Sequence, residues 1–177
     1  MHQDARASVV RRFFAGLTEN TFEGRLGVAD PPLIDYIAEL LVRFVRSDAM
    51  FTVRSVRGQK LMAVTDMLAE AQHREGPARQ QVHRHIGDFT LFWMGVYPEV
   101  AACLRRNTKD ALIDYPQQGK RAYWIASTIP VEKEQETPAP AVLKRLSEQF
   151  DLCVYGLGEV RRQWEQTGDT DAPLLLG

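Results

Sequence analysis

Hydrophobic residues recur every three or four positions along most of this chain, the spacing that places them on one face of an α-helix. The clearest case follows Asp30-Pro31-Pro32, where Asp30 suits a helix N-cap and Pro31 suits the first helical position. The apolar face of this predicted helix consists of Leu33, Ile34, Ile37, Leu40, Leu41, Phe44 and Val45. On the opposite face, Glu39 and Arg43 lie four residues apart, so we expect them to form an ion pair.

A second apolar stripe lies near the N-terminus, at Val9, Val10, Phe13, Phe14 and Leu17. It predicts a docking helix and a following loop within residues 1–29. Because Arg11 and Arg12 accompany the stripe, a helix that lies on a membrane surface is an alternative. The stripe is short for that role, and docking against the rest of the protein is the favoured interpretation.

Two further helices are predicted between residues 59 and 97. The apolar face of the first, over residues 59–73, consists of Leu61, Val64, Met67, Leu68 and Ala71. Gly76-Pro77 ends this helix and begins the next one, which is apolar on all sides from Phe89 to Tyr97. A helix that is apolar all round is expected at the centre of a bundle.

The strongest periodic signal lies near the C-terminus. Hydrophobic residues alternate there at spacings of three and four, at Leu143, Leu146, Phe150, Cys153, Leu157, Val160 and Trp164. This pattern, hereafter the seam, predicts one long C-terminal helix that packs within a bundle or across a dimer. Gly156 and Gly158 weaken that helix, and they mark either a kink or a place where another backbone or a ligand comes close.

Other segments depart from helical spacing. Residues 50–58 alternate as in a short strand, which would serve as an extended connector or as an edge that pairs across a dimer. Pro116 lies inside an otherwise helical stretch, residues 111–128, and predicts a kink or two short helices. We expect a polar loop over residues 129–140 and a flexible tail over residues 168–177.

These elements together predict an all-α protein. The chain has 177 residues, of which 45% are hydrophobic and 25% charged, which fits a single globular domain. The expected architecture is one helical domain over residues 1–177: a bundle of about six helices, one kinked at proline and the last one long, with the heptad seam.

Charge and cysteine content exclude several classes of protein. A net charge of −1 gives no general attraction to nucleic acid or to an anionic membrane. Cys103 and Cys153 are far apart in sequence and form no metal-binding spacing. No secretory signal and no apolar run of about 18 residues is present, so we expect a cytoplasmic protein that does not enter a membrane.

The first candidate site lies at the start of the predicted central helix. His83 and His85 would chelate one metal from a strand, but helical geometry separates them. It directs His85 to the packed side and His83 away from it. Asp88 lies one turn after His85, so the two can touch as a general base pair or as metal ligands. The alternative is a polar cluster that closes the first turns of a buried helix.

The second candidate is the sequence Glu70-x-x-His73, with Asp66 on the same helical face. Di-iron helical bundles use a Glu-x-x-His pair twice, with two further glutamates. No second Glu-x-x-His pair is present in this sequence. Because Asp66, Glu70 and His73 lie opposite the apolar face, the alternative is a solvated surface.

The third candidate is the segment Gln117–Trp124, around the expected proline break. Lys120 and Arg121, with Gln117, could hold a small anion, and Tyr123 with Trp124 could stack bases of single-stranded nucleic acid. The alternative is that both aromatic residues belong to the core. The low net charge makes nucleic acid the less favoured partner.

None of these candidates amounts to a complete catalytic set, and no nucleotide-binding or hydrolase motif is present. The favoured interpretation is therefore a non-catalytic binding or scaffold protein that forms a homo-oligomer, such as a dimer through a helix face. The alternatives are a metal- or cofactor-binding bundle that uses His85 with Asp88 or Glu70 with His73, and a protein with a small anionic-ligand pocket. The sequence identifies no particular cofactor.

Overall fold

The computed structural model describes residues 2–45, 55, 57–132 and 138–171. For residues 2–6 and 168–171 it describes the backbone only. The elements in these ranges are α1 (His2–Glu19), a π-helical segment (Asn20–Arg25), α2 (Pro31–Val45), α3 (Val64–Gln72), α4 (Gly76–Val96), α5 (Pro98–Asn107), α6 (Tyr115–Thr128), α7 (Pro140–Glu148) and α8 (Phe150–Asp171). The described residues contain helices and no strand, which confirms the all-α prediction. Their eight α-helices exceed the six expected.

Helix α4 is the central element of the fold. It contacts α2, α3, α5, α6 and α8, and its residues Ile86, Phe89, Leu91 and Phe92 are buried. Two glycines let neighbouring side chains approach its backbone: the Tyr123 ring lies against Gly87, and the Leu157 side chain lies against Gly95. The central position predicted from the all-round apolar pattern is therefore observed.

Helix α2 begins where the sequence indicated, but its ion pairs differ from the expected one. The Asp30 carboxylate accepts a hydrogen bond from the Leu33 amide at 3.2 Å, as an N-cap does. Arg43 pairs with the buried Asp88 at 3.0 Å, and Glu39 pairs with Arg11 of α1 at 3.1 Å. A buried carboxylate needs a counter-charge more than an exposed glutamate does, which explains why Arg43 turns inward.

The proline kink predicted at Pro116 does not occur. Pro116 lies in the first turn of α6, where its missing N–H breaks no hydrogen bond. The Asp114 carboxylate accepts a hydrogen bond from the Gln117 amide at 3.0 Å and caps the helix. Since Asp114 supplies this cap, the proline begins a helix and does not bend one.

The seam belongs to two helices and not to one. Helix α7 ends at Glu148, the N–H of its C-cap residue Gln149 donates to the Arg145 carbonyl at 2.8 Å, and α8 begins at Phe150. The seam residues from Leu143 to Val160 are all at most 1% exposed within the single chain. They pack inside the fold, so this face does not supply a dimer interface.

One of the two glycines of α8, Gly156, marks a close approach of another element. A Cβ placed on Gly156 would come within 2.2 Å of the Phe22 ring, and one on Gly158 would lie 3.6 Å from the Gly95 carbonyl oxygen. The helix runs through both positions without interruption to Asp171, four residues into the segment predicted to be a tail. Close packing against Phe22 therefore explains Gly156, whereas the contact at Gly158 is an ordinary van der Waals distance that does not require a glycine. Neither glycine marks a kink.

The segments at the ends and loops agree only in part with expectation. Of the strand predicted over residues 50–58, residues 50–54 and 56 lie outside the described ranges. At the end of that segment the Gly58 N–H donates to the Ser55 carbonyl at 2.8 Å, and Gly58 adopts φ of 77°. The predicted docking helix, α1, packs on α2 and α8 through the fully buried Phe14.

No helix in the ranges that the structure describes is long and apolar enough to cross a membrane.

Candidate functional site: a pocket between α3, α4 and α6

A buried carboxylate, Asp110, positions α3. Its oxygens accept hydrogen bonds from the Val64 amide at 2.8 Å and from the Thr65 amide and hydroxyl at 2.9 and 2.8 Å. The Tyr115 hydroxyl donates to the same carboxylate at 2.8 Å. Asp110 therefore caps α3 from a distant part of the sequence and ties its first turn to the start of α6.

A pocket of about 270 Å³ lies between α3, α4 and α6. Its lining residues are Leu68, Ala71 and Gln72 from α3, Arg79 and His83 from α4, and Gln118, Arg121, Ala122 and Ile125 from α6. Four of these side chains are apolar, two are amides, two are cations and one is an imidazole. The pocket thus combines an apolar wall with positive charge and hydrogen-bonding groups.

His83 is the buried polar residue of this pocket. It is only 4% exposed, and neither ring nitrogen has a hydrogen-bond partner among the described residues. Burial, followed by the positive charges of Arg79 and Arg121, lowers the pKa of His83 to about 4. The imidazole is therefore neutral at pH 7. The expectation that His83 faces away from the packed side was wrong, because α3 and α6 also cover this side of α4.

Arg79 and Arg121 are both exposed and both line the pocket. No ion pair involves either of them within the described ranges. Arg43, Arg145 and Arg161, by contrast, all pair with carboxylates. The pocket therefore has two cations whose charge no described acidic residue neutralises.

A second polar cluster is buried on another side of α4. The Asp88 carboxylate is 1% exposed and accepts hydrogen bonds from the hydroxyls of Tyr36 at 2.6 Å and Tyr123 at 2.7 Å. Arg43 donates to its second oxygen at 3.0 Å, and Arg84 donates to the Tyr36 hydroxyl at 3.1 Å. Burial raises the pKa of both tyrosines, and the negative charge of Asp88 adds to the effect. The cluster connects α2, α4 and α6 through the single buried carboxylate of Asp88.

The predicted pair of His85 and Asp88 lies at the edge of this cluster. His85 is 7% exposed, on the packed side as expected, and its ring stacks on Phe44 with centroids 6.0 Å apart. Burial lowers the pKa of His85 to about 4, although the charge of Asp88 opposes this effect. Both Asp88 oxygens already accept hydrogen bonds from tyrosine or arginine. To bind a metal ion, Asp88 would have to give up bonds that hold the fold together.

The residues of the Glu-x-x-His candidate are not all solvated. Glu70 is 7% exposed, and two nitrogens of Arg74 lie 2.9 Å from one of its oxygens. His73 is exposed with its Nδ1 2.8 Å from the Ala69 carbonyl oxygen, and Asp66 pairs with Lys109 at 2.9 Å. The expectation of a fully solvated face fails at Glu70, because α3 packs on α4 there and Arg74 supplies a counter-charge. In the described part of the chain, no three His, Cys, Asp or Glu residues are placed to hold a metal ion.

The three ligand residues predicted in α6 lie in three different environments. Lys120 pairs with Asp151 of α8 at 2.7 Å, and Tyr123 is fully buried against Asp88. Only Arg121 lines the pocket. Trp124 is 55% exposed and is not part of the core.

The sequence analysis named His83 and Arg121 but did not single out other pocket residues such as Arg79 and Ile125, although the spacing of the lining residues carries a signal. Arg79 and His83 are four residues apart on α4, and Gln118, Arg121, Ala122 and Ile125 follow helical spacing on α6. Each set therefore lies on one face of its helix. Nothing in the sequence shows that these faces meet, because that depends on how α3, α4 and α6 pack.

Comparison with known proteins adds no relative to this picture: no family model matches the chain, and neither a curated protein nor a solved structure is significantly similar to it.

Proposed function

We propose that this protein is a non-catalytic helical binding protein whose ligand, a small anion, occupies the pocket between α3, α4 and α6. One observation carries the proposal: two arginines and a buried histidine, none of which has an ion-pair or hydrogen-bond partner for its side chain among the described residues, line the same pocket. The prediction of an anionic-ligand pocket near Gln117–Trp124 is retained in this form, with Arg121 kept and Arg79 and His83 added.

The energetics of the pocket residues support an anionic ligand. An unsatisfied buried polar group costs about 1–3 kcal/mol, and two nearby cations repel each other. An anion between Arg79 and Arg121 would reduce that repulsion and supply acceptors for their N–H groups. Guanidinium groups suit this role, because their planar arrangement of donors matches carboxylate and phosphate oxygens.

The chemistry of the pocket favours binding over catalysis. In the described part of the chain, its lining includes no hydroxyl, thiol or carboxylate side chain, so these residues offer no nucleophile of those types. Among the described lining residues, His83 is the one group that could transfer a proton. A pKa of about 4 makes it a weak base at neutral pH.

Isothermal titration with an organic anion such as benzoate, together with native mass spectrometry of the untagged protein, tests the proposal. Wild-type protein should bind the anion, and the Arg79→Gln and Arg121→Gln variants should each bind it about tenfold or more weakly. Arg106→Gln is the matched control, since Arg106 is an exposed arginine of α5 that does not line the pocket. Equal affinity of all four proteins, or no binding at all, would contradict the proposal.

The homo-oligomer remains a separate proposal with weaker support. The seam that suggested it is buried within the single chain, so an oligomer would have to use another surface. The exposed aromatic residues Trp124 and Tyr155, each 55% exposed, are apolar groups that such a surface could include. Light scattering across a range of concentrations tests it, and a strict monomer would refute it.

The metal- or cofactor-binding alternative likewise has less support than the anion pocket. Asp88 and Glu70 are already bound by arginines, and His73 is exposed and separate from His85. Elemental analysis of the purified protein decides this alternative. Stoichiometric metal that is lost in His85→Gln would revive it.

A further inference from the structure

Building on the proposed function, we propose that the ligand is an amphipathic organic acid: an anionic group, carboxylate or phosphate, on an apolar body of about the size of one ring. The anionic group would lie at Arg79 and Arg121, and the apolar body would lie against the side chains contributed by α3 and α6. Three features of the pocket carry this inference.

The first feature is the size of the pocket. A cavity of about 150 Å³ is large enough to hold a benzene molecule. The pocket here is about 270 Å³, so it has room for one ring and a charged substituent. An inorganic anion would leave most of this volume to water.

The second feature is the apolar wall. Leu68 and Ala71 of α3 and Ala122 and Ile125 of α6 line the pocket together with its polar groups. Ala71 and Ala122 are each 2% exposed, so this wall belongs to the buried part of the fold. An apolar ligand body would remove the remaining wall surface from water, which a bare anion cannot do.

The third feature is the arrangement of charge. The positive charges come from exposed arginines, whereas the imidazole between them in the sequence is buried and neutral. A ligand with one charged end and one apolar end matches this division between exposed cations and a buried interior. A fully apolar ligand would leave Arg79 and Arg121 without a counter-ion.

Isothermal titration at constant ionic strength with four probes tests this inference: benzoate, phenyl phosphate, inorganic phosphate and benzyl alcohol. The ring-bearing anions should bind at least about tenfold more tightly than inorganic phosphate, because they bury apolar surface. Benzyl alcohol should bind at least about tenfold more weakly than benzoate, since it lacks the charge. The ratio of benzoate to phenyl phosphate affinity identifies the preferred anionic group.

Variants of the apolar wall and of the cations test the amphipathic ligand and the anion site separately. Ile125→Ala shortens the apolar wall and should weaken benzoate about three- to tenfold without changing the affinity for inorganic phosphate. Arg121→Gln should weaken both. If Ile125→Ala lowers the melting temperature, Ile125→Val serves as the milder change.

The possible results distinguish failure of the amphipathic ligand from failure of the anion-binding site. If inorganic phosphate binds as tightly as benzoate and Arg121→Gln weakens both, the amphipathic ligand is refuted and the anion site stands. If benzyl alcohol binds as tightly as benzoate, the anionic part of both proposals is refuted. If no probe binds, or Arg121→Gln changes nothing, the proposed function fails as well.

Discussion

The Tyr123 ring lies directly on the backbone of Gly87, so that a Cβ placed on Gly87 would come within 2.7 Å of two ring carbons. The hydroxyl of the same tyrosine donates to Asp88, the next residue along α4, at 2.7 Å. One side chain of α6 thus holds α4 by contact at one residue and by a hydrogen bond at its neighbour. This relationship fixes the distance between two helices that form walls of the pocket.

Replacing Gly87 by alanine should lower the free energy of unfolding by up to about 2 kcal/mol. The added methyl group forces the Tyr123 ring to move, which costs about 1–3 kcal/mol and outweighs the gain of about 1 kcal/mol in helix propensity. Gly16→Ala is the matched control, because Gly16 is exposed in α1 and a Cβ there meets nothing within 4 Å. It should stabilise the protein by about 0.5–1 kcal/mol in chemical denaturation. A stabilising Gly87→Ala would contradict the close contact.

The Asp88→Asn substitution should destabilise the fold by about 3 kcal/mol. It removes the charge that Arg43 pairs with and weakens two hydrogen bonds from buried tyrosine hydroxyls. Urea denaturation measures the change. In the control Asp66→Asn, the substituted carboxylate pairs with an exposed lysine, and the loss should stay below about 1 kcal/mol. Similar losses in the two variants would show that the Asp88 cluster is not a stabilising element.

Removing the cap of α3 should loosen one wall of the pocket. In Asp110→Ala, the amides of Val64 and Thr65 lose their acceptor, and the free energy of unfolding should fall by about 2–3 kcal/mol. Hydrogen exchange should quicken at these two amides in particular. Asp114→Ala removes the more exposed cap of α6 and should cost about 1 kcal/mol without affecting exchange in α3. Unchanged exchange at Val64 and Thr65 would rule out the capping role of Asp110.

Stability should decrease as the pH falls from 6.5 toward 4. Burial lowers the pKa of His83 and of His85 to about 4 in the folded protein, whereas an unfolded histidine titrates near 6.5. The unfolded state therefore binds more protons in this window, and acid favours unfolding until the pH falls below the folded pKa. His83→Gln should flatten the decrease in melting temperature between pH 7 and pH 5.5. An unchanged slope in that variant would mean that His83 titrates normally in the folded protein.

Helical spacing predicted the class of the fold and its central element, because burial of one helix face depends on local sequence. The all-round apolar stretch of α4 and the cap at Asp30 are of this kind. The break at Gln149 was not predictable in the same way, since the seam keeps its period through it. The role of Pro116 was misjudged because a proline that begins a helix and one that bends it differ only in the cap before them.

The candidate site depends on how the helices pack against one another, which the sequence pattern does not show directly. Arg121 was named because its charge stands out near a proline, but the direction of its side chain follows from the packing of α6 on α4. His83 was assigned to the wrong side for the same reason: its helix is covered on more sides than a two-faced pattern implies. Asp110 and its partners Val64 and Thr65 are about 45 residues apart in sequence, and only the folded chain brings them together.

The most direct test of the anion site is a titration of nitrogen-15-labelled protein with benzoate, followed through the side-chain Nε–H resonances of arginine. The resonances of Arg79 and Arg121 should shift together and saturate with a single dissociation constant, while that of Arg106 stays in place. Such shifts should vanish when benzyl alcohol replaces benzoate. If the Arg79 and Arg121 resonances do not move at high benzoate concentration, or if all three arginines move alike, the pocket is not an anion-binding site.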